Sequence, residues 1–196
     1  MKFLTQFIDK IGDIPESSLK KLTALISLKE LKKGDIIAKA GEIPNDIYIL
    51  KSGIIRSFFT DEKGKEYIRH IFTPVRATGA LGAMILNKPS RFSYDCLLDC
   101  EVYSLNFKLF KKLSIDDKAI SNLYATVLEY VFLSLEAKVY DLSVLNATER
   151  YLKLKSLFSW ESILMNLTFY SHIGLLKVIA LQRLNIIKLL SYSSWL

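Results

Sequence analysis

The chain reads Leu31-Lys-Lys-Gly34-Asp35-Ile-Ile-Ala-Lys-Ala-Gly41-Glu42 and then Asp46-Ile-Tyr-Ile-Leu-Lys-Ser52-Gly53, and the same grammar of short apolar runs continues to Cys100-Glu-Val-Tyr-Ser-Leu105. Turn residues punctuate it at Lys33-Gly34-Asp35, Gly41-Glu42, Ser52-Gly53, Asp61-Glu-Lys-Gly64, Gly79, Asn87-Lys-Pro89 and Asp99, roughly every eight to twelve residues. Strands of that length at that spacing build a small all-β roll or sandwich. Asp46-Ile-Tyr-Ile-Leu and Tyr67-Ile-Arg-His-Ile-Phe are strand-like, β-branched and aromatic between turns. Asp61-Glu-Lys-Gly64 reads as a hairpin turn, with Gly64 free to take a positive φ.

Outward from this stretch the periodicity changes. Phe3, Leu4, Phe7, Ile8 and Ile11, then Leu19, Leu22, Leu25 and Ile26, fall at helical spacing on either side of Gly12-Asp13-Ile14-Pro15. Pro15 cannot continue the first helix, and Asp13 or Ser17 can cap the second. The roll is expected from about Leu31 to Leu105. After Phe107, Ile120, Leu123, Val127, Tyr130, Ser134 and Ala137 alternate at three- and four-residue steps, an a/d seam, and Tyr124, Leu128, Val131 and Leu135 form a second apolar line. A helix with two apolar sides fits a homodimer, one side on the roll and the other on a second copy, or else a single helix buried inside a monomer. Asn146-Ala-Thr-Glu149 opens a further helix with the spacing of a capping box.

Composition sets bounds on function. The 196 residues are 51% hydrophobic and 24% charged, with a formal net charge of +7. No run of eighteen uncharged apolar residues marks a membrane span, and Asp9 argues against an export signal, so no membrane partner and a cytoplasmic location are expected. Cys96 and Cys100 read as ordinary buried thiols, and His70 and His172 stand alone. No metal, haem or other cofactor site and no catalytic set can be assembled, so an enzyme is not expected. Of the +7, residues 157–196 supply only +2, from Lys177, Arg183 and Lys188 against Glu161, leaving +5 upstream.

The order of these pieces resembles the cyclic-nucleotide-binding β-roll of the catabolite activator/Fnr superfamily of bacterial transcription regulators. Ala147-Thr-Glu-Arg-Tyr-Leu-Lys-Leu is similar to the first helix of that family's winged-helix DNA-binding domain. The resemblance implies an α+β chain: a cyclic-nucleotide-binding-like β-roll (a jelly roll) with flanking helices over residues 1–115, a long dimerisation helix over 116–145, and a small helical, divergent helix-turn-helix domain over 146–196. It also implies DNA and an unidentified small-molecule effector as partners.

In the family, a phosphate-binding cassette opens with Gly-Glu and carries an Arg about ten residues later. Main-chain amides and the Arg neutralise the cyclic phosphate, and the Glu accepts from the ribose hydroxyl. The matching segment here is Gly79-Ala80-Leu81-Gly-Ala-Met-Ile-Leu-Asn-Lys-Pro-Ser90-Arg91. Aligned on Cys100-Glu-Val, the glutamate position holds Ala80 and the arginine position Ser90, with Arg91 one residue along and so on the opposite face of a strand. A conventional cyclic nucleotide is therefore not the expected ligand of the roll.

The C-terminal segment matches the family only in fragments. Ser171-His-Ile-Gly174-Leu-Leu-Lys177 and Gln182-Arg183 resemble a helix-turn-helix turn and its base-contacting pair, with Lys188 as a further DNA contact. Yet Arg183 lies nine residues after Gly174 where the family has eight, Leu176 replaces a Thr cap, and residues 162–176 carry no charge. Three readings follow: a DNA-binding transcription regulator with a shifted recognition helix, a regulatory or protein-interaction module with an inactive C-terminal domain, or a frame error beyond about Phe158.

Overall fold

The computed structural model describes residues 2–156. Two helices, α1 (Lys2–Asp9) and α2 (Glu16–Ala24), precede eight strands: β1 (Ile26–Leu31), β2 (Ile36–Ala38), β3 (Asp46–Ser52), β4 (Ile55–Thr60), β5 (Glu66–Phe72), β6 (Arg76–Thr78), β7 (Ser93–Cys96) and β8 (Cys100–Asn106). Helix α3 (Leu81–Leu86) lies between β6 and β7, and α4 (Phe107–Asp116), α5 (Lys118–Val144) and α6 (Ala147–Ser156) follow β8. The strands form two antiparallel four-stranded sheets, in the orders β1-β8-β3-β6 and β2-β7-β4-β5. This is the expected jelly roll. It starts at Ile26, five residues before the expected Leu31, because Ile26 to Leu31 pair in register with Leu105 to Cys100.

Strands β3 and β8 sit at the centre of the first sheet and are apolar on both faces. Leu50 and Val102, directly opposite one another, point into the roll with Tyr48, Ile55, Cys96 and Cys100. Ile49 and Tyr103, the next pair along, point the other way and are covered by Leu4, Ile8, Leu22, Phe107, Phe110, Ile120 and Leu123 of the helices. The period of two along a strand makes this division compulsory once the register is set. Each fully buried aliphatic side chain in these clusters contributes ~2 kcal/mol of transfer free energy. Cys96 and Cys100 are both buried free thiols, as expected.

Several sequence expectations change in detail. Neither Asp13 nor Ser17 caps α2: Pro15 occupies the cap position with no side-chain cap bond. The neighbouring Ser18 hydroxyl donates instead to Asp117 at 3.0 Å, and Lys21 pairs with the same carboxylate at 2.9 Å. Asp117 in turn accepts from the main-chain N–H groups of Ala119 and Ile120 and so caps α5. The Lys21 bond, followed by the Ser18 and main-chain bonds, holds this carboxyl below the usual carboxylate range. Gly64 does close the hairpin with φ 78°.

The a/d seam needs a larger correction. Ile120 and Leu123 are 0% and 6% exposed inside this chain's own helix-covered core, so they cannot line a seam with another molecule. Tyr124 is buried beside them, whereas Tyr130, Ser134 and Ala137 are exposed. The seam fails at its first two positions because β8 and α4 reach that face of α5 first.

The described chain divides into two compact units, one ending at Tyr140 and the other starting at Asp141. In the second, the expected capping box is present: Asn146 N–H donates to the Glu149 carboxylate at 2.8 Å and Glu149 N–H to the Asn146 side-chain oxygen at 3.0 Å. Lys153 binds Asp141.

The tightest backbone position is Gly53, between β3 and β4. It has φ 94°, and a Cβ there would lie 2.4 Å from Cys100 Sγ and 2.5 Å from the Asp99 carbonyl oxygen. Gly53→Ala is expected to destabilise the roll by ~3 kcal/mol or more, since the backbone conformation and the overlap both oppose it. Urea denaturation of the two proteins measures this.

Candidate functional site

The segment aligned with the phosphate cassette adopts a compact turn. Gly79, at φ 145°, lets the main chain approach the Asp46 carbonyl oxygen, where a Cβ would sit at 3.3 Å. Ala80 precedes α3 and is 5% exposed, packed with Ala38 and Tyr94. Leu81 leans on the helix-covered core. Ser90 is buried, and its hydroxyl donates to the Phe92 carbonyl at 2.7 Å and accepts from Phe92 N–H at 3.2 Å. Its main chain is tied to Gly41 and Glu42, each at 2.8 Å. Arg91 lies before β7, in a bend rather than on the strand, and is exposed. The strand-parity reason given for its unavailability therefore does not apply. Ala80 thus offers a methyl group in an apolar cluster and Ser90 a hydroxyl spent within its own loop, and neither carries a charge.

The polar chemistry of the roll is concentrated at β5. Ser57 of β4 is opposite His70, and Phe58 is opposite Ile68, which leaves Arg69 with no opposite residue. This is a β-bulge, a device that turns an extra side chain toward a face the pleat would otherwise deny it. The Arg69 guanidinium lies 4.4 Å from the centre of the Phe92 ring, and the His70 ring is 4.5 Å from that of Phe72. Lys138 of α5 donates to the Arg69 carbonyl oxygen. Arg76 opens β6 directly after Val75, whose φ of 67° is costly for a β-branched residue and is held by a 2.9 Å bond from its N–H to the Leu50 carbonyl.

Burial, then the positive charges of Lys138, Arg76 and Arg69, push the His70 imidazole down to about 4, so it is neutral at physiological pH. Burial and then Arg69 hold the Lys138 ammonium below its ordinary value. Ser57 Oγ and Thr78 Oγ1 are buried with no hydrogen-bond partner among the described residues. A different cation, Arg56, faces the other side of the second sheet and is fully satisfied by Asp95, at 2.7 and 2.9 Å, and Glu66, at 2.7 Å.

None of Arg69, His70, Arg76, Lys138, Ser57 or Thr78 was singled out as a ligand candidate by the sequence. The bulge that brings Arg69 beside His70 leaves no mark in residue types. The DNA-contact candidates Lys177, Gln182, Arg183 and Lys188 lie outside the described residues. Among the described residues no group of three or more metal-ligating side chains is assembled and no helix is long and apolar enough to cross a membrane.

Two antiparallel sheets closed over an apolar interior, with a short helix after β6 and a long helix after β8, make a jelly roll. Residues 28–117 match the family described as the cyclic nucleotide-binding domain. A search of curated proteins finds no match. Among solved structures, a cyclic nucleotide-binding domain from Methylobacillus flagellatus KT superposes with a TM-score of 0.63 at 13% identity, covering 71% of this chain and 80% of that one. The sensor domain of the transcriptional regulator DNR from Pseudomonas aeruginosa gives 0.55 at 18% identity, covering 74% and 94%. The Thermus thermophilus catabolite activator protein gives 0.53 at 18%, covering 66% of this chain and 61% of its own length. This chain thus matches about three fifths of that protein, and at these identities the likeness is one of fold.

An unfolded histidine titrates near 6.5, whereas folded His70 resists protonation until about 4. Between those values the unfolded chain holds a proton that the folded chain refuses, so stability falls as pH drops through the window. His70→Gln is expected to flatten that limb of a plot of unfolding free energy against pH, obtained by urea titration at stepped pH.

Proposed function

We propose that the chain is a ligand-responsive, DNA-binding transcription regulator of the catabolite activator/Fnr type whose roll does not use a conventional cyclic nucleotide. The observation that carries this is the pairing of a cyclic nucleotide-binding fold over residues 28–117 with Ala80 and Ser90 at its two charged ligand positions. The solved structures with this fold include a catabolite activator protein and a transcriptional regulator's sensor domain, which favours a regulatory role over catalysis. On this reading residues 1–115 sense, 116–145 dimerise, and 146–196 contact DNA through Lys177, Gln182, Arg183 and Lys188.

The homodimer forms along α5. The exposed residues Tyr130, Leu133, Ala137 and Tyr140, spaced by three, four and three residues, make one continuous stripe. That stripe retains Tyr130 and Ala137 of the expected seam and replaces the buried Ile120 and Leu123. Leu133 and Tyr140 are 54% and 63% exposed in the single chain, a large apolar surface for a helix to leave in water. Sedimentation equilibrium is expected to give twice the 22.4 kDa chain mass, and Leu133→Glu to shift the protein toward the monomer.

A second reading, a regulatory or interaction module with no DNA contact, is favoured by the absence of charge over residues 162–176. Fluorescence anisotropy with a mixed-sequence DNA duplex separates the two. The regulator should bind in the micromolar range at low salt, weaken steeply as salt rises, and be indifferent to millimolar cyclic AMP. Absence of binding even at low salt overturns DNA contact and leaves the interaction module.

A further inference from the structure

Five cations of the roll are paired among the described residues, Lys39 with Glu42 one of them. Lys29, Lys32, Lys51 and Arg56 each reach a carboxylate. Arg69, Arg76 and Lys138 do not: no carboxylate lies within ion-pair distance of any of the three among the described residues. They come from three elements, β5, β6 and α5: Arg69 directly precedes His70, Lys138 bonds the Arg69 carbonyl oxygen, and the charges of all three bear on the half-buried imidazole, with Arg69 and Arg76 themselves exposed. Arg69 is the residue the bulge leaves without an opposite partner, and Lys138 bonds its main-chain oxygen. Like charges brought together without a counter-charge repel one another, and the cost is offset when an anion completes the cluster.

A second feature points the same way. Ser57 is 0% exposed and faces His70 across the ladder, yet its hydroxyl has no partner among the described residues. Thr78, two residues beyond Arg76 and 5% exposed, is in the same condition. Buried hydroxyls are rarely left unpaired unless something outside the polypeptide pairs with them. Beside these groups stand Phe72, Phe92 and the buried Tyr94, with the Phe72 and Tyr94 rings stacked at 6.2 Å.

We propose that the β5 bulge and the part of α5 carrying Lys138 bind a small organic anion, a carboxylate on a flat apolar body. Arg69, Arg76 and Lys138 receive the carboxylate, Ser57 and Thr78 supply hydrogen bonds, and Phe72 and Phe92 flank the apolar part. The proposal rests on the reading of the roll as a sensor and names its ligand class. It also couples the ligand to the helix. The Lys138 ammonium now bonds the Arg69 carbonyl, so an anion that draws it away changes how α5 lies along β5, a bias between two arrangements of the element that carries the dimer stripe.

The test is calorimetric titration of the full chain with benzoate, with benzamide as its uncharged counterpart and inorganic phosphate as an anion without an apolar body. Benzoate should bind about tenfold or more tightly than either, as expected for charge-assisted hydrogen bonds. Arg69→Met and Lys138→Met should each weaken benzoate about tenfold, whereas Lys138→Arg, which keeps the charge, should stay near wild type. Circular dichroism reports folding; if Lys138→Met does not fold, Arg76→Gln takes its place. Benzoate binding no tighter than benzamide, or unchanged in the charge-removing variants, overturns the site, and phosphate binding as tight as benzoate overturns the organic-anion assignment. DNA binding without benzoate preference rejects the site and keeps the regulator; benzoate preference without DNA binding does the reverse.

Discussion

Strands β3 and β8 are apolar on both faces, and the rest of the described structure is arranged to keep both faces dry. Leu50 and Val102 need the second sheet opposite them, which closes the roll. Ile49 and Tyr103 need a helical layer behind them, which is where α1, α2, α4 and the first turns of α5 are recruited. A sheet that buries only one face leaves its helices free to be placed by other forces. Here the second face fixes them, and Asp117, joining Ser18 and Lys21 of α2 to the start of α5, locks the arrangement with polar bonds.

The same constraint governs how α5 is held. The start of α5 is committed to the core through Ile120, Leu123 and Tyr124, whereas its later part touches the roll through Lys138 and the Arg69 carbonyl. A helix anchored at one end by apolar burial and held further along by a polar contact has one fixed and one adjustable end. The adjustable end lies beside Arg69, on the strand whose His70 is opposite Ser57, a buried hydroxyl with no partner among the described residues.

Much of the fold was legible from the spacing of turn residues. The punctuation from Gly34 to Asp99 announced the roll, the alternation in Asp46-Ile-Tyr-Ile-Leu announced a central strand, and Asn146 with Glu149 announced the cap of α6. The seam on α5 was misplaced at Ile120 and Leu123 because heptad spacing records which residues share a face, not which neighbour covers it. The cap of α2 was misassigned because the helix starts directly after Pro15, which takes the cap position and has no side-chain oxygen to accept a bond, leaving Asp13 before the cap and Ser17 inside the first turn.

For the site, the sequence by itself determined which chemistry each position carries: Ala80 and Ser90 can supply neither a carboxylate nor a guanidinium, since side-chain chemistry does not depend on the fold around it. Only the tertiary structure decided which groups lie together around β5. Arg69 and Lys138 lie on separate segments of the chain; a one-residue bulge opposite Ser57 and Phe58 leaves Arg69 without a ladder partner, and Lys138 bonds its carbonyl oxygen. A bulge is a property of how two strands pair, set by the sum of contacts along both sheets, and no single residue type encodes it.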